Sequence, residues 1–165
     1  MAMDEALAAT DQMADWSSWI PFDQFMTAPR LPGVYMARLG PDGPVVYVGM
    51  AGPRSGSGTP QGIRGRLARY ASGKAMVSGL GEAAADRALA DPVWLRERLA
   101  EVERGEPMRA EAWGRAAIAR TGLHVRWAVT ADKAAAVLLE RLVEQAFPAG
   151  VLWNRSRVVV VRLTD

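Results

Sequence analysis

Two runs rich in Val and Tyr, Gly33-Val-Tyr-Met-Ala-Arg-Leu39 and Val45-Val-Tyr-Val48, flank the segment Gly40-Pro-Asp-Gly43-Pro44. Valine and tyrosine favour the pleated strand, and Gly-Pro-Asp-Gly is a strong turn signal, so the pair reads as an antiparallel hairpin. Leu123-His-Val-Arg-Trp-Ala-Val129 alternates with period two and supplies a third strand, half-buried on one face. With 165 residues the chain has room for about one domain. The fold expected is therefore α+β, a small three-stranded antiparallel sheet flanked by helices.

Helical signals fill the intervals. Ile63, Leu67 and Tyr70 recur at helical spacing within 63–74. Residues 82–120 are rich in Ala, Arg and Glu, and Asp91-Pro92 has the form of an N-cap followed by proline at the first helical position. Thr130 or Asp132 can cap a further helix running to about Phe147, with Val137, Leu138, Leu142 and Val143 among its apolar positions. Residues 49–62 hold five glycines, two prolines and two serines, a mobile loop. Residues 1–15 form a weak helix or frayed end, Trp16 to Phe22 an apolar patch expected to pack as a lid, and Arg155 to Arg162 a last edge strand. The division expected is an N-terminal extension over 1–28 packed on a core of 29–165, with a helical insertion at about 78–120.

Composition removes several chemistries. There is no cysteine, which excludes disulfides, thiolate metal sites and cysteine nucleophiles. His124 is the only histidine, so a multi-histidine metal site in one chain is excluded as well. A metal ion here must sit on oxygen, which favours a hard ion. No run approaches the roughly 18–20 apolar residues of a membrane span, and 1–15 carries acids and no base, unlike a signal peptide. A soluble, cytoplasmic protein with no membrane partner is expected.

Charge is unevenly placed. Residues 1–28 hold five acids and no base, −5; residues 29–77 hold seven bases and Asp42, +6; the rest is nearly balanced. A cationic block of this size suggests a polyanionic partner.

Within that block lie Gly33-Val-Tyr35 and Tyr47-Val-Gly49, then Arg66-x-x-x-Tyr70; Glu140 and Asn154 follow later. Paired strands can bring Tyr35 beside Tyr47. Gly49 frees the chain to turn beside a bound backbone. Arg66 and Tyr70 share one helical face. Glu140 sits in the apolar run Val-Leu-Leu-Glu, where a carboxylate is costly unless it faces an open site or a partner. Together these give phenol, guanidinium and a carboxylate for one divalent ion, the groups needed for one-metal attack on a phosphodiester. His124, mid-strand, reads as an exposed or satisfied histidine, and the Trp94–Val102 stripe as core or dimer surface.

The ordered set Leu31-Pro-Gly-Val-Tyr35, Val46-Tyr-Val-Gly49, Arg66-x-x-x-Tyr70 and Val129-Thr-Ala-Asp-Lys-Ala-Ala-Ala-Val-Leu-Leu-Glu140 resembles the GIY-YIG nucleases, most nearly the N-terminal incision domain of the bacterial nucleotide excision-repair nuclease. The likeness runs from about Leu31 to Asn154, interrupted at 78–120, and it makes the glycine- and serine-rich loop an insertion too. It implies a GIY-YIG fold and metal-dependent cleavage of DNA, RNA not excluded, with Mg2+ or Mn2+. By the same resemblance Tyr35 or Tyr47 assists deprotonation of the nucleophile, Arg66 braces the scissile phosphate, Tyr70 partners it, and Glu140 binds the metal. Asn154 orders the site and contacts the backbone; Gly49, Arg64, Arg69, Lys74 and Asn154 are the expected nucleic-acid contacts. A restriction or defence endonuclease is expected, and one making double-strand breaks would pair as a homodimer. The alternatives are a repair or mobile-element nuclease, a non-cleaving nucleic-acid-binding module of the same fold, and a toxin-like or regulatory protein whose insertion binds a protein.

Overall fold

A computed structural model describes residues 3–53 and 60–155. The chain begins with α1 (Met3–Asp11), β1 (Ile20–Pro21) and a 3-10 turn (Phe22–Thr27), then the hairpin β2 (Gly33–Leu39) and β3 (Val45–Ala51). Four helices follow: α2 (Gly62–Ala71), α3 (Gly79–Leu89), α4 (Pro92–Glu103) and α5 (Ala110–Ala119). β4 (Leu123–Val129) and α6 (Lys133–Ala146) complete the described elements.

The fold is α+β with an antiparallel sheet, but the sheet has four strands, in the order β1-β4-β2-β3, where the sequence predicts three. The additional strand comes from the patch expected to lie over the body as a lid. Ile20 pairs with Val125 and Pro21 with His124 along the outer edge of β4. A proline has no N–H for a ladder and is tolerated at such an edge. Two residues with one proline carry no periodicity, which hides this strand from pattern reading.

The hairpin forms as its turn chemistry predicts. Tyr35 lies opposite Gly49 and Ala37 opposite Tyr47; Arg38 then lies opposite Val45, leaving Val46 as the extra residue of a bulge. The bulge resets the alternation of β3. Val46 and Tyr47 both join the core cluster of Tyr35, Ile63, Leu67 and Tyr70, whereas Val45 joins Val34, Met36, Val48 and Val143. The first cluster lies beneath α2 and α3, the second beneath α1 and α6. β2, between β3 and β4, is buried on both faces over Gly33–Ala37.

Ile63, Leu67 and Tyr70 are fully buried. The helical region predicted from 82 starts earlier, at Gly79, and consists of three helices. Asp91 caps α4 by accepting from the Val93 and Trp94 amides at 2.9 and 3.4 Å. Of the α4 stripe only Trp94 is buried, edge-on to Trp113 at 5.5 Å, while Leu95, Leu99 and Val102 are exposed. Asp132 rather than Thr130 caps α6, accepting from the Ala135 amide at 2.8 Å.

The edge of β3 is covered by the chain after α6. The Trp153 amide donates to the Val46 carbonyl at 2.6 Å, and the Asn154 side chain bonds both the Val48 amide and its carbonyl. The strand expected at Arg155 to Arg162 lies, after Arg155, outside the described residues, as do 54–59 of the glycine-rich loop. Among the described residues no helix is long and apolar enough to cross a membrane.

Candidate functional site

The chain has three tyrosines, and all three meet. Tyr35 faces Gly49, two residues beyond Tyr47, so the two rings are diagonal neighbours on one face of the sheet, 6.2 Å between centroids and 24° between planes. A Cβ on Gly49 would strike the Tyr35 hydroxyl. Gly49 therefore serves as a gap in mid-strand that admits a ring, not as the turn its sequence position suggested. Tyr70 arrives from α2 and its hydroxyl lies 2.7 Å from that of Tyr35. One helical turn earlier, the Arg66 guanidinium stands over the Tyr70 ring, 5.4 Å from its centroid. Gly79, at φ +56°, starts α3 directly over the Tyr70 and Tyr47 hydroxyls, where a side chain would not fit.

This packing sets the ionisation of the cluster. Tyr35 and Tyr70 are wholly buried and Tyr47 nearly so. Burial, reinforced by Tyr70 and Tyr47, holds the Tyr35 phenol well above its ordinary range, and Arg66 opposes this only in part. Burial likewise raises Tyr47; the Tyr70 and Glu140 oxygens add to the rise and Arg66 works against it. For Arg66, burial disfavours the charge, but Tyr70 and Tyr35 outweigh it and the guanidinium stays firmly protonated. Its Nε is buried with no hydrogen-bond partner among the described residues.

Glu140 lies on the buried stripe of α6, in register with Ala136 and Val143 and 8% exposed. Leu138 and Leu142, predicted as apolar positions of that helix, are instead exposed. The carboxylate opens into a cavity of about 240 Å³ that it shares with Tyr47, Gly79, Asn154 and Glu82. Asp86 and Glu144 add further negative charge to the same cavity. Among the described residues no three acidic or histidine side chains are grouped to hold an ion together. Arg66 faces a second cavity, with Arg69 and Lys133. Tyr47 is the residue close enough to feel both Arg66 and Glu140.

The remaining candidates disperse. Asn154 bonds Val48 and also donates to Glu144 at 2.7 Å, which engages its amide within the protein and steadies the β3 edge beside Tyr47. Arg64 turns inward and donates from Nε to the Ala28 carbonyl at 2.6 Å. Arg69 is exposed on the second cavity, and Lys74 is exposed beyond the end of α2. His124, read from the sequence as exposed or satisfied, is half-buried, and its Nδ1 has no partner among the described residues.

Three contributors escaped sequence reading. Gly79 and Glu82 belong to a stretch that reads only as the start of a helical insertion. Lys133 follows the Asp132 cap and is one of two lysines in a chain otherwise reliant on arginine, a compositional signal that could have singled it out. No protein-family model, curated protein or solved structure matches the chain.

Proposed function

We propose that the chain is a metal-dependent endonuclease of the GIY-YIG kind, hydrolysing phosphodiester bonds in DNA in a restriction or defence role. The observation that carries the reading is Tyr47, a phenol on which Arg66 and Glu140 both act and which lines the same cavity as Glu140 and Asn154.

The donor set fits a hard divalent ion. Glu140 is a carboxylate on an otherwise apolar stripe, opening into a cavity rich in oxygen donors and negative charge. Such an ion takes one or two carboxylates and completes its shell with water and substrate oxygens, so a single protein ligand suffices. Magnesium or manganese held by Glu140 would supply Lewis-acid polarisation of the phosphate. The chain's own groups do the rest. Arg66, fixed in charge, stabilises negative charge growing on the phosphate oxygens. Tyr47, kept protonated by burial, donates a hydrogen bond and orients the attacking water or the phosphate. Tyr35 and Tyr70, wholly enclosed, hold Arg66 and Tyr47 in place and meet no substrate.

Glu140→Gln should lower magnesium-dependent cleavage of plasmid DNA by at least about a thousandfold, the loss of roughly 4 kcal/mol of transition-state stabilisation. Its circular dichroism and its DNA affinity in EDTA should match the wild type. Cleavage that survives the substitution rejects the mechanism. A non-cleaving nucleic-acid-binding module is the second reading, favoured by the complete burial of Tyr35 and Tyr70; absence of any nicking by the wild type in magnesium or manganese would select it.

A further inference from the structure

The cavity beside Arg66 contains more than the proposed reaction uses. Its volume is about 320 Å³, and among the described residues its lining includes Arg66, Arg69 and Lys133 and no acidic residue. None of the three cations makes an ion pair among the described residues. Clustered like charges repel, so three cations around one cleft without a counter-charge are stable only if solvated or if an anion joins them. The cleft is also built for close approach. Gly52, Gly62 and Gly65 line it; Gly62 packs on the Leu31 backbone and Gly65 on Gln61, while Gly52 leaves room for a cationic side chain of the cleft. The stem of Lys133 lies across Gly52, where an added Cβ would stand 2.9 Å from Lys133 Cγ. The fold thus brings the first residue of α6 over the end of β3 and carries its ammonium to the cleft that Arg66 shares. The Ile63 and Arg64 amides of α2 do not serve here, since they donate to the Leu31 and Pro29 carbonyls. The charge offered to an anion is that of the three side chains.

We infer that Lys133 and Arg69 seat a second backbone phosphate of a nucleic-acid strand, next to the phosphate engaged by Arg66. The inference rests on the proposed nucleic-acid substrate and adds to it a fixed two-phosphate register. Arg66 lines the same cleft as Arg69 and Lys133, which places a phosphate held by it beside one held by them. The register makes a strand, rather than an isolated phosphodiester, the ligand recognised.

The test is fluorescence anisotropy with a labelled DNA duplex in EDTA, over a series of salt concentrations, for wild type, Lys133→Gln, Lys133→Arg and Arg69→Gln. Each phosphate contact contributes about 0.9 to the slope of log K against log salt, so Lys133→Gln should reduce the slope by roughly one and weaken binding by roughly eightfold at 0.1 M salt. Arg69→Gln should act alike, and Lys133→Arg should keep the slope. Thermal melting of each variant, read beside the binding, identifies any loss caused by unfolding; if Lys133→Gln fails to fold, Arg69→Gln decides, because an unchanged slope in that folded variant overturns the inference as well. An unchanged slope in folded Lys133→Gln, or no DNA binding by the wild type, overturns the inference. The nuclease reading is judged apart, by cleavage in magnesium: cleavage with an unchanged slope keeps the reading and rejects the phosphate seat, whereas a reduced slope without cleavage does the reverse.

Discussion

Two glycines determine how the phenols behave. Gly49 opens the space that the Tyr35 ring enters, and Gly79 lets the start of α3 close over the hydroxyls of Tyr70 and Tyr47. Their joint effect is to exclude water from the Tyr35 and Tyr47 oxygens, which would otherwise ionise near pH 10. Burial raises both Tyr35 and Tyr47 above that value in the folded chain, whereas both return to it on unfolding. A raised folded-state value means that the neutral phenols contribute stability fully below about pH 10, and that this contribution is lost as pH climbs through the folded values. Alkaline titration should therefore show phenolate absorbance at 295 nm lagging behind that of free tyrosine and then rising together with the loss of far-ultraviolet circular dichroism. Because the chain has only these three tyrosines, the phenolate part of the signal comes from the cluster. Full ionisation centred near pH 10 in a chain that is still folded would show the cluster to be open to solvent.

Between the N-terminal extension and the sheet, one side chain makes the decisive contacts. Arg126 of β4 is 6% exposed, lies 4.9 Å from the ring centres of both Trp16 and Trp19, and pairs with Asp11 at 2.7 Å. Arg38 also stands over the Trp19 ring, 4.4 Å from its centre. Burial favours loss of the Arg126 charge, and Asp11 opposes it. Arg126→Ala leaves a half-exposed carboxylate unpaired and two indoles without their packing partner, at a cost of about 2–3 kcal/mol. Urea denaturation should register that loss, and limited proteolysis should cut within 3–27 faster than in the wild type. The contrast with what the sequence discloses is instructive. The hairpin, the Ile63–Leu67–Tyr70 stripe and the caps Asp91 and Asp132 are legible because their causes lie within a few residues. Strand register makes Tyr35 and Tyr47 neighbours and helical spacing does the same for Arg66 and Tyr70, both local rules; that the two pairs meet was implied only by the resemblance of the ordered motifs. β1, the reach of Lys133 over Gly52, and Gly79 over the phenols depend on distant parts of the chain, and no local pattern encodes them. On α6 the apolar residues permit more than one buried stripe, and packing against the sheet buries Glu140 while leaving Leu138 and Leu142 outside.

At the scale of the whole molecule, α1 and α2 stand on opposite faces of the sheet. The acids Asp4 and Glu5 lie on α1, on the face that buries Val34 and Met36; Arg66 and Arg69 lie on α2, beyond the opposite face. A net charge of +2 conceals this polarity. At about 0.1 M salt the Debye length is roughly 10 Å, about the spacing of packed layers, so a polyanion approaching the cationic face is largely screened from charges behind the sheet. Local placement should then govern encounter more than the total does. Replacing both Asp4 and Glu5 with lysine raises the net charge by four, from +2 to +6, whereas Arg69→Gln lowers it by one. If the groove beside Arg66 receives the strand, the double replacement should change the association rate with a DNA duplex less than the single one does, when both are measured by stopped-flow anisotropy near 0.1 M salt. Lowering the salt to about 0.01 M extends the Debye length to roughly 30 Å and should bring the α1 charges into play, narrowing or reversing that order. An association rate that follows net charge alone at both salt concentrations would mean that nucleic acid meets the molecule without regard to face, and the cationic groove would lose its claim to be the point of first contact.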